Sequence, residues 1–315
     1  MIPDAIQAFI EAVKDGAAGG RLRAARGAPP RRRRSGAARA LGELVLPALA
    51  DPGAAAKVAE LQQRVAAEHA SARKARAEAA AAGAATARQA VLAGSARRVE
   101  AALARAALAP DVVPRWFVIQ RPFLIWPTGI VLDDSQTVDL QSYARFRVYT
   151  DIDGDDAGHV RFYYYWTNPY PDPVFVSLAS IGDWNGACDV YLDGGLFNED
   201  TAGLYVSAEL EVLPVWEPQA AWTTEATWPV FAASQQNRGL WSGYWEAAEA
   251  TQGGAALGMA DLLIPATRTV IFTMTVMLSS YVYGDGGATA DYSTEGYAFR
   301  SPAAVVTVTG RVVSP

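Results

Sequence analysis

The chain has 315 residues with 27 Lys+Arg, 33 Asp+Glu, two histidines and one cysteine. That length allows two domains and a sizeable core. A lone cysteine excludes an internal disulfide framework, and Cys188, His69 and His159 cannot by themselves make a Cys/His metal site.

Charge and aromatic content divide the chain. Residues 1–115 carry 19 of the basic and 10 of the acidic side chains, net +9; the rest carries 8 and 23, net −15, and no lysine. Phe9 is the sole aromatic residue before Trp116. These contrasts predict an α+β multidomain chain: a helical arm or oligomerisation region over 1–112, with a mobile Arg-rich segment near 17–36, then a β-sandwich over 113–315. The start, "MIPDAIQAFIEAVKDG", has neither the basic opening nor the apolar run of a secretory signal. No charge-free apolar stretch outside the Ala-rich segments is long enough to span a membrane. The expectation is a cytoplasmic protein without a membrane span, with signal-independent export open.

Ile6, Phe9, Ile10 and Val13 fall at i, i+3, i+4 and i+7, one apolar stripe on a short helix between Pro3 and Gly16. Beyond it, "GAAGGRLRAARGAPPRRRRSG" breaks every period. Arg31, Arg32, Arg33 and Arg34 could neutralise phosphates, but no aromatic platform accompanies them, and the pattern favours a solvated loop over a nucleic-acid arm. A helix is expected over 37–50 and two Ala-rich helices over 53–82 and 86–109. These two read as a helical hairpin with an alanine seam, which must pack on copies of itself or on the second domain.

After residue 112 the period becomes two. Leu204, Val206, Ala208, Leu210 and Val212 share one face of a strand, opposite Tyr205, Ser207, Glu209 and Glu211; Val270, Phe272, Met274, Val276 and Leu278 share another. Further strands are expected near 115–125, 143–150, 159–167, 173–180, 187–192, 289–299 and 303–313. Many short strands with turn signals between them predict an antiparallel, jelly-roll-like sandwich. A basic arm ahead of such a sandwich resembles jelly-roll coat proteins in layout alone.

"DIDGDDAG" reads as a turn between two strands, since Asp bonds nearby amides and Gly takes positive φ. Counted from Asp151, its sixth and twelfth positions are Asp156 and Phe162, which excludes an EF-hand. Asp151, Asp153, Asp155 and Asp156 remain candidates for a calcium loop of another kind. "LDGGLFNED" and "YGDGGATAD" are similar acidic turns. Trp216, Trp222, Trp228, Trp241 and Trp245 crowd a segment without clean alternation, placed in long connections over the sandwich. They can cover a sheet, anchor a protein interface, or stack on sugars with Glu225, Gln236 and Asn237 as hydrogen-bonding neighbours.

No catalytic signature stands out. Glu209 and Glu211 match any solvated strand face, and His159, beside the acidic turn, takes a solvent position. The expectation is a non-enzymatic, self-assembling structural protein whose partners are copies of itself, with no cofactor. The alternative is a lectin-like carbohydrate-binding sandwich on a helical oligomerisation stalk.

Overall fold

The computed structural model describes residues 4–19, 115–151, 153–193, 200–217, 220–237 and 244–312. The helices expected over 37–50, 53–82 and 86–109, the Arg31–Arg34 run, His69 and Trp241 lie outside the described residues. What is described is one helix and an antiparallel sandwich of two sheets.

Helix α1 spans Asp4–Gly19. It continues past Gly16, so residues 17–19, assigned above to a mobile segment, are helical. The strands are β1 (Arg115–Ile119), β2 (Leu124–Thr128), β3 (Leu132–Gln136), β4 (Tyr143–Thr150), β5 (Gly154–Thr167), β6 (Val174–Leu192), β7 (Thr201–Pro214), β8 (Thr223–Gln236), β9 (Trp245–Ile264), β10 (Thr269–Tyr283), β11 (Gly286–Asp291) and β12 (Ala298–Arg311). The larger sheet runs β1-β12-β4-β11-β6-β9, with β3 beside β4 and a further β12–β6 pairing; the smaller runs β2-β5-β10-β7-β8.

Alternation puts the apolar faces of both sheets against each other. Phe146, Val160, Phe162, Tyr164, Leu178, Leu204, Leu210, Phe272, Met274 and Phe299 are fully buried between them. Phe162 of the smaller sheet meets Phe299 of the larger at 6.2 Å, a ring contact between the layers, and Tyr164 stacks at 5.9 Å on Phe272, its register partner within the smaller sheet. The buried Tyr164 hydroxyl donates to the Ser301 carbonyl at 2.7 Å, which satisfies its polar end. Cys188 enters β6 as a buried side chain, and burial pushes its thiol up to about 12.

Helix α1 lies on the outer face of the smaller sheet. Ile6 and Ile10 are buried against Tyr163 and Ile271. The Phe9 ring sits 5.6 Å from Tyr163 and 6.4 Å from both Phe123 and Trp222. The apolar stripe read from the sequence is thus covered by this chain's own sandwich.

Several sequence expectations change. The 173–180 and 187–192 strands are one continuous strand, β6, because residues 180–186, among them the small and polar Ser180, Gly182, Asp183, Asn185 and Gly186, are themselves buried in the sheet. The span 289–299 contains the turn between β11 and β12 rather than a strand. The Trp-rich span is not a set of long connections: β8 and β9 run through it. Both are edge strands, and Pro229 in β8 fits an edge, where a missing N–H costs no ladder bond.

"DIDGDDAG" is also different. β4 belongs to the larger sheet and β5 to the smaller, so the chain crosses between sheets there and does not form a hairpin. β5 starts at Gly154, and Asp155 and Asp156 already pair with Tyr281 and Ser280 of β10.

Candidate functional site

Four connections, β4–β5, β6–β7, β8–β9 and β10–β11, cross between the sheets at one end of the sandwich. Described residues of the three acidic, Gly-rich stretches noted in the sequence, far apart in the chain, come together here. Backbone bonds stitch them. Gly284 N–H donates to Asp153 Oδ1 at 3.1 Å, Asp193 N–H to the Asp285 carbonyl at 3.0 Å, and Asp285 N–H to Asp200 Oδ1 at 3.3 Å. Asn237 N–H reaches the carbonyl of buried Asp200 at 2.8 Å, tying in the fourth connection.

A surface cavity of about 250 Å³ opens at this end, lined by Tyr149, Asp151, Tyr191, Asp193, Asp285 and Gly286. β11 lies between β4 and β6, with Tyr191 of β6 opposite Gly287 and Tyr149 of β4 opposite Thr289. Tyr149 is 55% exposed. Tyr191 stacks on Tyr244 at 6.5 Å, with 25° between the planes. On the other sheet's outer face, Tyr205, Tyr281 and Tyr283 form a second stack with centroids 6.4 and 6.0 Å apart. Burial, with Tyr205 beside it, pushes the Tyr281 hydroxyl up to about 12.

The aspartates proposed for calcium do not act as a set. Asp151 lines the cavity. Asp153, at φ 56°, accepts from the β10–β11 turn. Asp156 accepts from Thr150 Oγ1 at 2.8 Å, and Asp155 is exposed in β5. Among the described residues no three His, Cys, Asp or Glu side chains converge closely enough to hold a metal ion.

Nor do the tryptophans share a platform. Trp216 and Trp245 pack on the main core, Trp222 packs beside α1, and Trp228 stands 50% exposed on the β8 edge. Glu225 and Gln236 are exposed in β8, whereas Asn237 is buried.

A second polar cluster lies on the outer face of the smaller sheet. Arg161 donates to both Glu211 oxygens at 2.6 and 3.0 Å, and Thr275 donates to Glu211 Oε2 at 2.6 Å. His159 Nε2 accepts from Arg161 Nη1 at 2.7 Å, which leaves the ring proton on Nδ1. Trp222 covers the guanidinium at 5.2 Å. His159 is 8% exposed and Glu211 7%, so the solvent positions assigned to them above are wrong. β5 begins five residues before His159, and the Arg161–Glu211 pair closes over this part of the sheet. Burial, reinforced by Arg161, lowers His159 to about 4. Burial works to raise the Glu211 carboxyl, but Arg161 and Thr275 outweigh it and hold it below the usual range. Burial raises Glu209, opposed by the Ser207 hydroxyl. Both Glu211 oxygens are committed, so this cluster works as a staple.

The sequence reading missed Tyr149, Tyr191, Tyr244, Asp193 and Asp285 as site residues. A signal was present: Tyr-x-Asp recurs at 149–151, 191–193 and 283–285, each where a strand ends in a Gly-rich acidic turn. A fourth copy, at 170–172, precedes β6 at the opposite end and lacks the glycines.

No protein-family model matches the chain, and no curated protein matches it. Solved structures with some likeness include TmCBM61 in complex with β-1,4-galactotriose, at 7% identity and TM-score 0.17, covering 56% of this chain and 83% of that one. The enzymatically active domain of tailspike protein 4 from bacteriophage CBA120 shows 11% identity and TM-score 0.19 over 59% of this chain and 19% of that one. A CBM4 structure shows 12% identity and TM-score 0.16 over 66% and 90%. At these TM-scores the superpositions carry no weight for function, which rests on the residues at the acidic end. Among the described residues no helix is long and apolar enough to cross a membrane.

Proposed function

We propose that this protein is a carbohydrate-binding β-sandwich whose ligand enters the Tyr149–Tyr191 cavity. One observation carries the reading: two tyrosine rings and three carboxylates, those of Asp151, Asp193 and Asp285, line a single open cavity. Sugars present an apolar C–H face and a rim of hydroxyls. Tyrosine rings supply flat apolar area with a polar tip, and carboxylates accept hydroxyl hydrogen bonds. The cavity is built on the ends of β4, β6 and β11, so its rings are carried by paired strands rather than by free loops. Self-assembly through helical arms is the weaker reading, because the hairpin it requires lies outside the described residues and the apolar face of α1 is occupied by the sandwich.

The test is titration of full-length protein with a panel of neutral, acidic and amino-bearing oligosaccharides, followed by calorimetry and tyrosine fluorescence. Binding that drops about tenfold or more in Tyr191→Ala and Tyr149→Ala, the loss expected of aromatic anchors, supports the site. Binding untouched by both substitutions, or no binding across the panel, removes it.

A further inference from the structure

We propose, resting on the glycan reading above, that the cavity selects glycans carrying free amino groups. Among the described residues its lining holds three aspartates, two tyrosines and one glycine, and no cationic side chain. Arg147, two residues before Tyr149 on β4, is engaged elsewhere: it donates to Asp291 at 2.7 Å and to Thr294 at 2.8 Å. A uronic or sialic acid would bring its carboxylate against Asp151, Asp193 and Asp285, and none of the described lining residues would neutralise it. A neutral sugar would leave those carboxylates short of compensation once the cavity is closed to water.

A protonated amine meets both features of the lining at once. Its N–H groups donate to carboxylates, and its charge sits favourably over the face of a tyrosine ring. A bare metal ion does not fit as well, because among the described residues no three carboxylates converge on one point. The cavity they line, about 250 Å³, has room for a sugar ring. Residues 116–315 carry net −15, a charge of the same sign as the lining, which favours the approach of cationic chains. The recurrence of Tyr-x-Asp at three strand ends gives the lining its composition: each copy delivers its carboxylate, and two deliver a ring as well.

The experiment compares four probes on the full chain: a β-linked glucosamine tetramer, its fully N-acetylated counterpart, the corresponding glucose tetramer and a galacturonate tetramer. The glucosamine tetramer should bind at least about tenfold tighter than the other three. That advantage should shrink between about 0.1 M and 1 M salt, as the Debye length falls from roughly 10 to 3 Å. Asp193→Asn with Asp285→Asn should erase the advantage, and Tyr191→Ala should weaken binding of the amine as well. Equal binding of the glucose or N-acetylated tetramer, or preference for galacturonate, overturns this inference and leaves the glycan reading standing. Amine binding that survives Tyr191→Ala marks diffuse surface charge and also overturns it. If none of the four binds, the inference fails here, and the oligosaccharide panel decides the parent reading separately.

Discussion

Tyr191 lies across Gly287. A Cβ on that glycine would stand 2.8 Å from Tyr191 Cε1 and 2.9 Å from its Cζ, closer than any side chain tolerates. Gly287 is the register partner of Tyr191 in the β11–β6 ladder, so the ring can settle on the neighbouring strand only because no side chain stands there. The ring's pose as a wall of the cavity follows from one glycine on another strand.

Gly287→Ala should therefore separate binding from stability. The clashing atoms belong to the far end of a side chain, so the ring should swing away while the ladder remains. Unfolding free energy should change by less than about 1 kcal/mol, since alanine also relieves glycine's entropy cost in a strand. Ligand affinity should fall about as far as in Tyr191→Ala. Equal affinity of Gly287→Ala and the unaltered protein in calorimetry would contradict the role given to this contact.

Gly284 behaves differently. Its φ is +90°, and a Cβ there would run into the Asp200 carboxylate. Asp200 is buried and accepts from Asp285 N–H, so it has little room to retreat. Gly284→Ala should cost about 1–3 kcal/mol, the range for forced backbone strain, and lower Tm by several degrees. A thermal melt superimposable on the unaltered protein would show that the stitched end of the sandwich is softer than its bonds indicate.

Much of the sandwich was legible because burial on one face imposes period two. β4 was read at its observed bounds, and the inward residues of β7 and β10 were identified from alternation alone. β8 and β9 were missed because edge strands leave much of their length to solvent and carry Ala, Gly, Thr and Pro in place of a strict apolar alternation. The burial of His159 was hidden for another reason. "DIDGDDAG" has turn composition, yet half of it is strand, paired across to Tyr281 and Ser280, and no local pattern reports a crossover between sheets. The cavity was out of reach by the same logic: Tyr149, Tyr191 and Asp285 meet only through the β4–β11–β6 ladder, a long-range relationship.

The seat of α1 gives a prediction about the N-terminus. Phe9 touches Phe123, Tyr163 and Trp222, so Phe9→Ala removes the ring that locks the helix to the sheet. Large-to-small changes at such sites cost about 3–5 kcal/mol when the rest of the fold must bear them. Here the helix can detach first, which caps the global cost at the docking free energy. Trp222 emission should shift to the red, and α1 should become cleavable by protease while the sandwich keeps its cooperative melt. Unchanged protection of residues 4–19 would mean that the ring contacts contribute little.

The buried cluster beneath Trp222 makes stability depend on pH with a definite sign. His159 has a folded-state value of about 4 against an ordinary 6.5, so between those values the unfolded chain binds a proton that the folded chain refuses. Stability must then rise with pH across that window and fall as acid is added. The shift corresponds to at most about 3.5 kcal/mol at roughly 1.4 kcal/mol per unit. Glu211 acts in the same direction at lower pH: its folded value is depressed, so its contribution is full above the ordinary carboxylate range and is lost as pH falls through the folded value. Glu209, raised by burial, opposes the trend, because the folded chain holds its proton longer. Urea titrations at pH 7, 5 and 4 should show a steady loss of stability, and His159→Gln, which keeps an acceptor for Arg161 without a titrating ring, should flatten the slope between pH 6.5 and 4. If the variant retains the full slope, the proton responsible belongs to another group and the burial of His159 is not what acid attacks.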